Sequence, residues 1–246
     1  MKLTVTIITL NEEKDISRAI NSVKEIADEI ILVDSGSTDK TVGIAKKLGC
    51  RVYYRKFDNY SNQKNFAISK SKSDWILSLD ADEEIDRSLS QEIKESIESV
   101  DFNGFYIDRR NFILGKEIKF TRWQKQLDSH IWLWKKGKGT WIGDVHEEIK
   151  LDGNVGKLLN AKIHYQYETV SEFLEMLNKY STLEAKNKTF SWFNFMFQPI
   201  YNFLVRYFYR LGFLDGWRGF ILSFLMAFYH LELQTKIWVN SKSINT

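Results

Sequence analysis

Cysteine is almost missing from this chain of 246 residues, because Cys50 is the only one. A single cysteine forms no internal disulfide, and no set of metal-binding cysteines is possible. We therefore expect a reducing compartment, which fits the cytoplasm. An excess of charge is missing as well, since 35 Lys and Arg residues face 32 Asp and Glu residues and the net charge is +3. This balance does not indicate a nucleic-acid-binding protein, and we expect no nucleic-acid partner.

Glycine-rich phosphate-binding loops are also absent. The sequence contains neither G-x-x-x-x-G-K-[ST] nor G-x-G-x-x-G. Neither a Walker-type nucleotidase nor a dinucleotide-dependent dehydrogenase is supported. A phosphate bound by this chain must therefore be neutralised by a metal ion and by side chains.

Long hydrophobic runs are absent too. The longest uncharged run in the C-terminal part, Thr189–Val205, is polar in places. It is also shorter than the roughly 20 apolar residues that a membrane-spanning helix needs. At the N-terminus, the apolar residues 1–10 are followed at once by acidic residues and by no small-residue cleavage site. We therefore expect no signal peptide and interpret these residues as a buried strand.

Strand and helix patterns alternate over the first hundred residues. Apolar and β-branched segments predict strands at 3–10, 29–34, 51–54 and 75–79, with helical spacing between them. Short connections of this kind predict an α/β fold whose mostly parallel sheet is flanked by helices. We expect residues 1–168 to form this α/β domain and residues 169–246 to form a helical C-terminal extension.

The C-terminal extension is rich in aromatic residues. Between residues 190 and 230 there are sixteen aromatic side chains and only four charged ones. This composition predicts helices that lie at a membrane interface or form a dimer contact.

An acidic turn follows the fourth predicted strand. Asp80 and Asp82 stand at positions i and i+2, beyond the strand end where open parallel sheets bind their ligands. Two such carboxylates can hold Mg²⁺ or Mn²⁺, with substrate phosphates completing the coordination shell. The alternative is a structural turn that caps the helix beginning near Asp86.

Polar residues also follow the first and second predicted strands. Thr9, Asn11 and Glu12 follow the first strand and Asp34 ends the second, so all of them should converge with the acidic turn at one edge of the sheet. The structural alternatives are a helix N-cap at Asn11 and an Asx turn at Asp34. Lys64 is a candidate for neutralising phosphate, and its alternative is a solvated helix face.

A histidine with neighbouring carboxylates lies between Gly143 and Glu148. Asp144, His146 and Glu147 could supply a general base or a metal ligand, and the alternative is an ordinary polar loop. His164 has no comparable neighbours in the sequence, so both a core position and a ligand remain open for it.

Seven segments that extend in order over nearly the whole chain resemble one known family. Four lie in the N-terminal part: TIITLNEEKDI from Thr6, ADEIILVDSGSTDKT from Ala27, NQKNFAI from Asn62 and DWILSLDADEEI from Asp74. Three follow: DVHEEI from Asp144, HYQY from His164 and YRLGFLDGWRGF from Tyr209. Together they resemble the family 2 glycosyltransferases, which have the GT-A fold, and within them the bacterial lipopolysaccharide core β-1,4-glucosyltransferase group.

The resemblance implies that residues 1–168 form a nucleotide-sugar-binding and catalytic domain, and it implies roles on the donor side of the reaction. Thr9, Asn11, Glu12 and Asp34 would line the nucleotide pocket, with Asp34 reading the base. Lys64 would lie near the diphosphate.

It also implies a divalent metal, Mg²⁺ or Mn²⁺, and an acceptor side. Asp80 and Asp82 would form the Asp-X-Asp pair, with Asp82 the more direct metal ligand. The segment around His146 and Glu147 would face the acceptor sugar.

We expect an inverting transfer of a hexose, by resemblance glucose from UDP-glucose, onto lipopolysaccharide core or another lipid-linked glycan. Glu147 is the expected base, a role typically worth about 10²–10⁴-fold in rate. His146 would orient it or contact the metal or the diphosphate, and Asp144 is the reserve base. One base without an enzyme nucleophile predicts inversion, by analogy with glycosidases.

The expected partners are a nucleotide-sugar donor, a lipid-linked glycan acceptor and a membrane surface. The enzyme would then be cytoplasmic and peripheral on the inner face of the cytoplasmic membrane, and a homo-oligomer remains open. Two alternatives also remain open. One is a glycosyltransferase that acts on polyprenyl phosphate or builds another surface polysaccharide, and the other is a nucleotide-sugar-binding scaffold without catalysis.

Overall fold

The chain divides into two compact units in its structure, a computed structural model that describes residues 1–98, 101–143 and 147–243. The first unit joins residues 1–109 to residues 128–164. The second joins residues 110–127 to the chain from residue 165 onward. Residues 110–127 therefore belong with the C-terminal helices, whereas the predicted domain division at residue 168 kept them with the N-terminal domain.

Four parallel strands form one half of a nine-stranded sheet in the described part of the chain. They are β1 (Leu3–Thr9), β2 (Glu29–Asp34), β3 (Arg51–Tyr54) and β4 (Trp75–Asp80), in the spatial order β3-β2-β1-β4. The predicted α/β class is confirmed, and so are these four strands. β1 lies between β2 and β4 and is buried over almost its whole length, as its apolar and β-branched residues predict.

Helices follow each parallel strand. They are α1 (Ile16–Val23), α2 (Thr41–Lys47), α3 (Tyr60–Ser69) and α4 (Arg87–Ile97). α1 buries Ile16, Ile20 and Val23, which have helical spacing. Residues 11–13 precede this helix, and their N–H groups donate to side chains of the segment after β2. The side chain of Asp86 caps α4 by accepting the N–H of Leu89 over 2.9 Å.

Beyond β4 the sheet continues with antiparallel neighbours. The remaining strands are β5 (Glu83–Glu84), β6 (Gly104–Ile113), β7 (Lys116–Glu117), β8 (Ser129–Lys135), β9 (Gly139–Ile142), β10 (Glu148–Leu151) and β11 (Val155–Tyr165). The order continues as β4-β8-β6-β11-β5, β7 pairs with β6, and β9 and β10 form a separate two-stranded sheet. β5 directly follows the acidic turn and pairs with β11, with Glu83 opposite His164. This pairing ties the turn to a strand far along the chain.

The second unit contains three helices in its described part: α5 (Val170–Glu184), α6 (Trp192–Leu204) and α7 (Trp217–Ser243). Thr169 and Glu172 form a capping box at the start of α5. A π-helix, Val205–Tyr209, continues α6, and a short 3₁₀ helix, Gly212–Asp215, precedes α7.

The core of this unit packs α5 and α7 together through apolar side chains that include Phe173, Leu177, Leu222 and Leu233. α6 buries none of its side chains. Within the residues that the structure describes, no helix has the length and apolar character needed to cross a bilayer.

Candidate functional site

The segments after β1 and β2 are tied together by hydrogen bonds. The N–H of Asn11 donates to Oγ of Ser37 over 2.8 Å, and its Oδ1 accepts from the N–H of Thr38 over 2.8 Å. The N–H of Glu12 donates to Oγ1 of Thr41 over 2.8 Å. Asn11 has a φ of 56°, which asparagine tolerates better than most residues. The alternative of a helix N-cap at Asn11 is wrong, because its side chain bonds to the other segment.

Asp34 lies at the end of β2, in register with Thr9 of β1, and is 5% exposed. Its carboxylate accepts the N–H groups of Gly36 and Ser37 over 2.8 and 3.0 Å, and the Ser37 hydroxyl as well. The Asx turn that we considered as the structural alternative is therefore present. The hydroxyl of Thr9 is buried and has no hydrogen-bond partner among the described residues. Contact of either side chain with a nucleotide stays a prediction.

The acidic turn holds Asp80 between two cations. Its Oδ1 lies 3.3 Å from Nζ of Lys64, and its Oδ2 accepts from Nη2 of Arg109 over 3.1 Å. Burial by itself raises the pKa of Asp80, but the charges of Lys64 and Arg109 outweigh it and hold this pKa well below its usual range. Asp80 is therefore ionised at neutral pH, and both of its oxygens are already paired.

Asp82 faces a histidine from β11. Its Oδ2 lies 3.1 Å from Nε2 of His164, whose side chain is 12% exposed. Glu12 lies close enough to Asp80 and Asp82 for their negative charges to act on it. Burial first, and then the negative charge of Asp82, raise the pKa of Glu12 to about 7. Asp82 therefore offers a carboxylate oxygen beside an imidazole nitrogen, and both atoms are possible ligands of a cation.

Lys64 is 3% exposed on α3, so the alternative of a solvated helix face is wrong. Its Nζ bonds to Oε1 of Glu147 over 3.0 Å and lies 4.4 Å from the centroid of the Trp141 ring. Burial lowers the pKa of Lys64, but Asp80 and Glu147 more than compensate and raise this pKa above its ordinary value. The ammonium group thus carries a fixed positive charge between the turn and Glu147.

Glu147 borders a cavity of 660 Å³. Its lining also includes Tyr106, Arg109, Trp132 and Trp141. Aromatic rings together with a carboxylate suit the apolar faces and hydroxyl groups of a sugar.

Asp144 and His146 lie outside the described residues, so the structure bears on neither of them. Of the three predicted acceptor-side residues, Glu147 is the one whose contacts are described.

A buried ion network supports the acidic turn, and sequence reasoning missed it. The Glu83 side chain is fully buried and accepts the N–H of Asp80 over 2.8 Å and Nζ of Lys162 over 2.6 Å. Nε of Arg109 lies 2.9 Å from the other Glu83 oxygen. The ring of Trp132 lies 3.3 Å from Nζ of Lys162 and 4.3 Å from Cζ of Arg109, measured to its centroid. A signal was present for Arg109, because it takes the next alternating position after the apolar Phe105 and Ile107.

The donor set fits a divalent cation that is completed by a substrate. Among residues 1–98, 101–143 and 147–243, no cluster of three or more His, Cys, Asp or Glu residues is positioned to hold a metal. Asp82 and His164 nevertheless place a carboxylate oxygen and an imidazole nitrogen within 3.1 Å of each other. Mg²⁺ and Mn²⁺ commonly take one or two protein ligands and fill the other positions with phosphate oxygens and water. The residues therefore fit such an ion in the presence of a diphosphate.

Comparison with known proteins gives consistent results. The family model "Glycosyl transferase family 2" matches residues 4–146. An uncharacterised glycosyltransferase of Rickettsia typhi is 36% identical over 251 residues, covering 92% of this chain and 83% of that protein. The lipopolysaccharide core biosynthesis glycosyltransferase LpsC of Rhizobium meliloti is 31% identical over 248 residues, covering 92% of this chain and 91% of that protein.

Among solved structures, a complex of glucosyl-3-phosphoglycerate synthase from Mycobacterium tuberculosis has 22% identity and a TM-score of 0.38. The alignment covers 46% of this chain and 44% of that chain. This likeness is too remote for a ligand or a residue role to be transferred.

Proposed function

This chain belongs to glycosyl transferase family 2 and is a glycosyltransferase, and on that premise we propose that it transfers a hexose from a UDP-sugar to a lipid-linked glycan with inversion at the anomeric carbon. Glucose is the proposed sugar, and lipopolysaccharide core is the proposed acceptor. The observation that carries the proposal is the acidic turn after β4. There Asp82 meets His164 while Asp80 and Lys64 are paired beside Glu147.

The donor occupies the edge of the sheet where β1, β2 and β4 end. Thr9, Asn11 and Glu12 come from the first strand end and Asp34 from the second, and hydrogen bonds fix both segments in place. A rigid pocket of this kind loses little entropy when a nucleotide binds. The buried ammonium group of Lys64 neutralises part of the diphosphate charge.

Asp82 and His164 would hold the divalent cation. A bound Mg²⁺ or Mn²⁺ supplies Lewis-acid stabilisation of the negative charge on the departing diphosphate. Asp80 is already paired with Lys64 and Arg109, so in this proposal it holds those two cations in place and contacts the metal less directly. Glu83 and Lys162 fix the turn that carries both aspartates.

The acceptor enters the cavity beside Glu147. Its hydroxyl oxygen attacks the anomeric carbon, the bond from that carbon to the diphosphate breaks, and the hydroxyl proton passes to the carboxylate of Glu147. Trp132 and Trp141 exclude water from this side and present ring faces to the sugar. A single displacement of this type inverts the anomeric configuration. Asp144 and His146 remain candidates for the reserve base and for its orientation.

The nature of the acceptor is supported by the relative named as a lipopolysaccharide core glycosyltransferase and by the surface of α6. Trp192, Phe193 and Tyr201 of α6 are each at least 65% exposed. Aromatic side chains at such density favour the interface of a bilayer, where an amphiphilic acceptor resides. We therefore place the enzyme on the inner face of the cytoplasmic membrane, and a homo-oligomer through α6 is the competing use of this surface.

Donor binding is tested by thermal unfolding of the full chain with UDP-glucose, alone and together with Mn²⁺. A ligand that binds the native state raises Tm. We expect a clear increase only when both are present, and a smaller one when UDP-galactose or GDP-mannose replaces UDP-glucose. An equal increase with UDP-glucose in excess chelator would contradict the metal-dependent proposal.

A further inference from the structure

Arg206 is a buried arginine that forms no ion pair with any residue that the structure describes. It lies in the π-helix of the second unit and is 6% exposed. Its Nε and Nη1 are buried and have no hydrogen-bond partner among the residues that the structure describes. Its Cζ lies 5.3 Å from the centroid of the Trp123 ring, a contact that fixes the guanidinium but neutralises none of its charge.

Two further arginines lie beside Arg206. Arg122 and Arg210 are both close enough to repel it electrostatically. They are brought together by the backbone, because the N–H of Thr121 donates to the carbonyl oxygen of Arg210 over 3.1 Å. Nε of Arg210 is likewise buried without a hydrogen-bond partner in the described ranges. Burial first, and then the two neighbouring charges, lower the pKa of Arg206 to about 10, so the group is still charged at neutral pH.

His230 of α7 completes this cluster. Its Nδ1 is buried and has no hydrogen-bond partner in the part of the chain that the structure describes. Burial, followed by the charge of Arg206, lowers the pKa of His230 to about 4. The imidazole is therefore neutral at physiological pH and can donate or accept one further hydrogen bond.

The carboxylates of this unit that form ion pairs or hydrogen bonds have partners other than the three arginines, and this holds also for Glu184, whose charge acts on His230. Their partners are Arg110 for Glu117, the backbone N–H groups of residues 119 and 120 for Asp215, Lys188 and Tyr229 for Glu184, and Lys236 for Glu232. None of the three clustered arginines has an ion pair within the described residues. A buried charge without a partner costs several kcal/mol in proteins, so its retention points to a ligand of opposite charge.

We propose that Arg122, Arg206 and Arg210 form a binding site for a phosphate group. Arginine matches phosphate because the guanidinium presents parallel N–H donors to two oxygens at once. A phosphate with two negative charges neutralises more of the charge of three arginines than a single carboxylate does. The site shares no residue with the donor site, so the inference does not rest on the transfer reaction.

Two sources could supply the phosphate. Phe208 and Tyr209, which are 54% and 81% exposed, lie in the chain between Arg206 and Arg210. This arrangement suits a phosphate carried by a lipid at a membrane surface. A small soluble phosphate has the same recognition chemistry, and an experiment with two arms separates the two sources.

The first arm measures Tm of the full chain in increasing inorganic phosphate at constant ionic strength set with chloride. The second arm measures sedimentation with vesicles of phosphatidylcholine, with and without phosphatidic acid. The test variant is Arg122→Gln/Arg210→Gln, because Arg122 is exposed and Arg210 is partly exposed, so both tolerate replacement better than Arg206. The matched control is Arg87→Gln, which removes an exposed arginine from α4.

We expect phosphate to raise Tm of the wild type and of Arg87→Gln but not of the double variant. If the source is a lipid, phosphatidic acid should raise the affinity of the wild type for vesicles. This gain should fall about tenfold or more in the double variant, because two charge-assisted contacts are lost. If the source is soluble, only the Tm response should change. Equal responses of the wild type and the double variant in both arms would overturn the proposal.

Discussion

Nε2 of His164 lies 3.1 Å from Oδ2 of Asp82, although the two residues are 82 positions apart in the chain. The pairing of β5 with β11 creates this proximity, since it places His164 opposite Glu83. The contact turns an Asp-X-Asp motif, which is common by itself, into a mixed carboxylate and imidazole donor set.

Replacing His164 by Ala should raise the Mn²⁺ concentration needed for half-maximal transfer by at least about tenfold, because one of two protein ligands is lost. Asp82→Ala should abolish transfer. The measurement is sugar transfer as a function of Mn²⁺, with circular dichroism to show that the fold is kept. Asp152→Asn is the control, since the side chain of Asp152 is 84% exposed and lies in a loop. An unchanged Mn²⁺ requirement in His164→Ala would show that the imidazole is no ligand.

Glu147→Gln should lower kcat by about 10²–10⁴-fold while leaving the Kd for UDP-glucose within a few fold. The amide keeps the shape of the carboxylate but accepts no proton. The measurements are steady-state turnover and calorimetric donor binding. If donor binding is lost and bound donor still turns over normally, Glu147 serves mainly to hold Lys64, which it contacts at 3.0 Å.

The buried ammonium group of Lys162 should make stability depend on pH. Burial lowers the pKa of Lys162 from 10.5 to about 8, although Glu83 opposes this shift. Between pH 8 and pH 10.5 the unfolded chain holds a proton on Lys162 that the native state has released. The free energy of unfolding therefore increases as the pH rises through this range. Urea denaturation of the wild type and of Lys162→Met should give a difference that grows by about 3 kcal/mol or less from pH 8 to pH 10.5. A difference that stays constant with pH would mean that Lys162 titrates normally.

The exposed rings of α6 should carry membrane binding. Phe193 and Phe197 are 70% and 56% exposed, and their ring centroids lie 4.9 Å apart. Phe193→Ser/Phe197→Ser should lower the partition coefficient onto phospholipid vesicles by about tenfold or more, because two aromatic rings that would be buried in the bilayer are removed. Tyr54→Ser is the control, since Tyr54 is 68% exposed on β3 of the other unit. Unchanged vesicle binding together with a loss of dimer in light scattering would assign α6 to self-association.

Arg206→Met should raise Tm in phosphate-free buffer, whereas most substitutions of buried residues lower Tm. The change removes an uncompensated buried charge and leaves an apolar chain of similar length against Trp123. A gain of about 1 kcal/mol corresponds to roughly 2–4 °C for a chain of this size. Calorimetry in phosphate and in chloride measures the effect, and the added stability from phosphate should vanish in the variant. A lower Tm than the wild type without phosphate would show that the guanidinium is already satisfied in the native state.

Local sequence patterns were sufficient for the parallel half of the fold. Residues 51–54 were predicted as a strand with the bounds that β3 has, because a short β-branched and aromatic run after a glycine has few alternatives. The grouping of residues 110–127 with the C-terminal helices was not predictable in this way. It depends on contacts between distant segments, such as the bonds from the N–H groups of residues 119 and 120 to Asp215.

The residues of the candidate site that follow strand ends could be predicted from the sequence. The residues that depend on the pairing of distant strands could not. Asp80 and Asp82 could be placed because parallel strands present their carboxyl ends at one edge. For Lys64 the sequence left a solvated helix face as an alternative, because no local pattern shows that Trp141 covers this side chain. Glu83 and Lys162 meet only because β5 pairs with β11, and a single sequence does not reveal that register.

The most direct test of the whole account is a crystal of the protein soaked with Mn²⁺ and UDP-glucose, measured for anomalous scattering of manganese. We predict one strong anomalous peak between Oδ2 of Asp82 and Nε2 of His164, with diphosphate oxygens in its coordination shell. A diphosphate bound without manganese, or manganese bound away from these two atoms, would contradict the account.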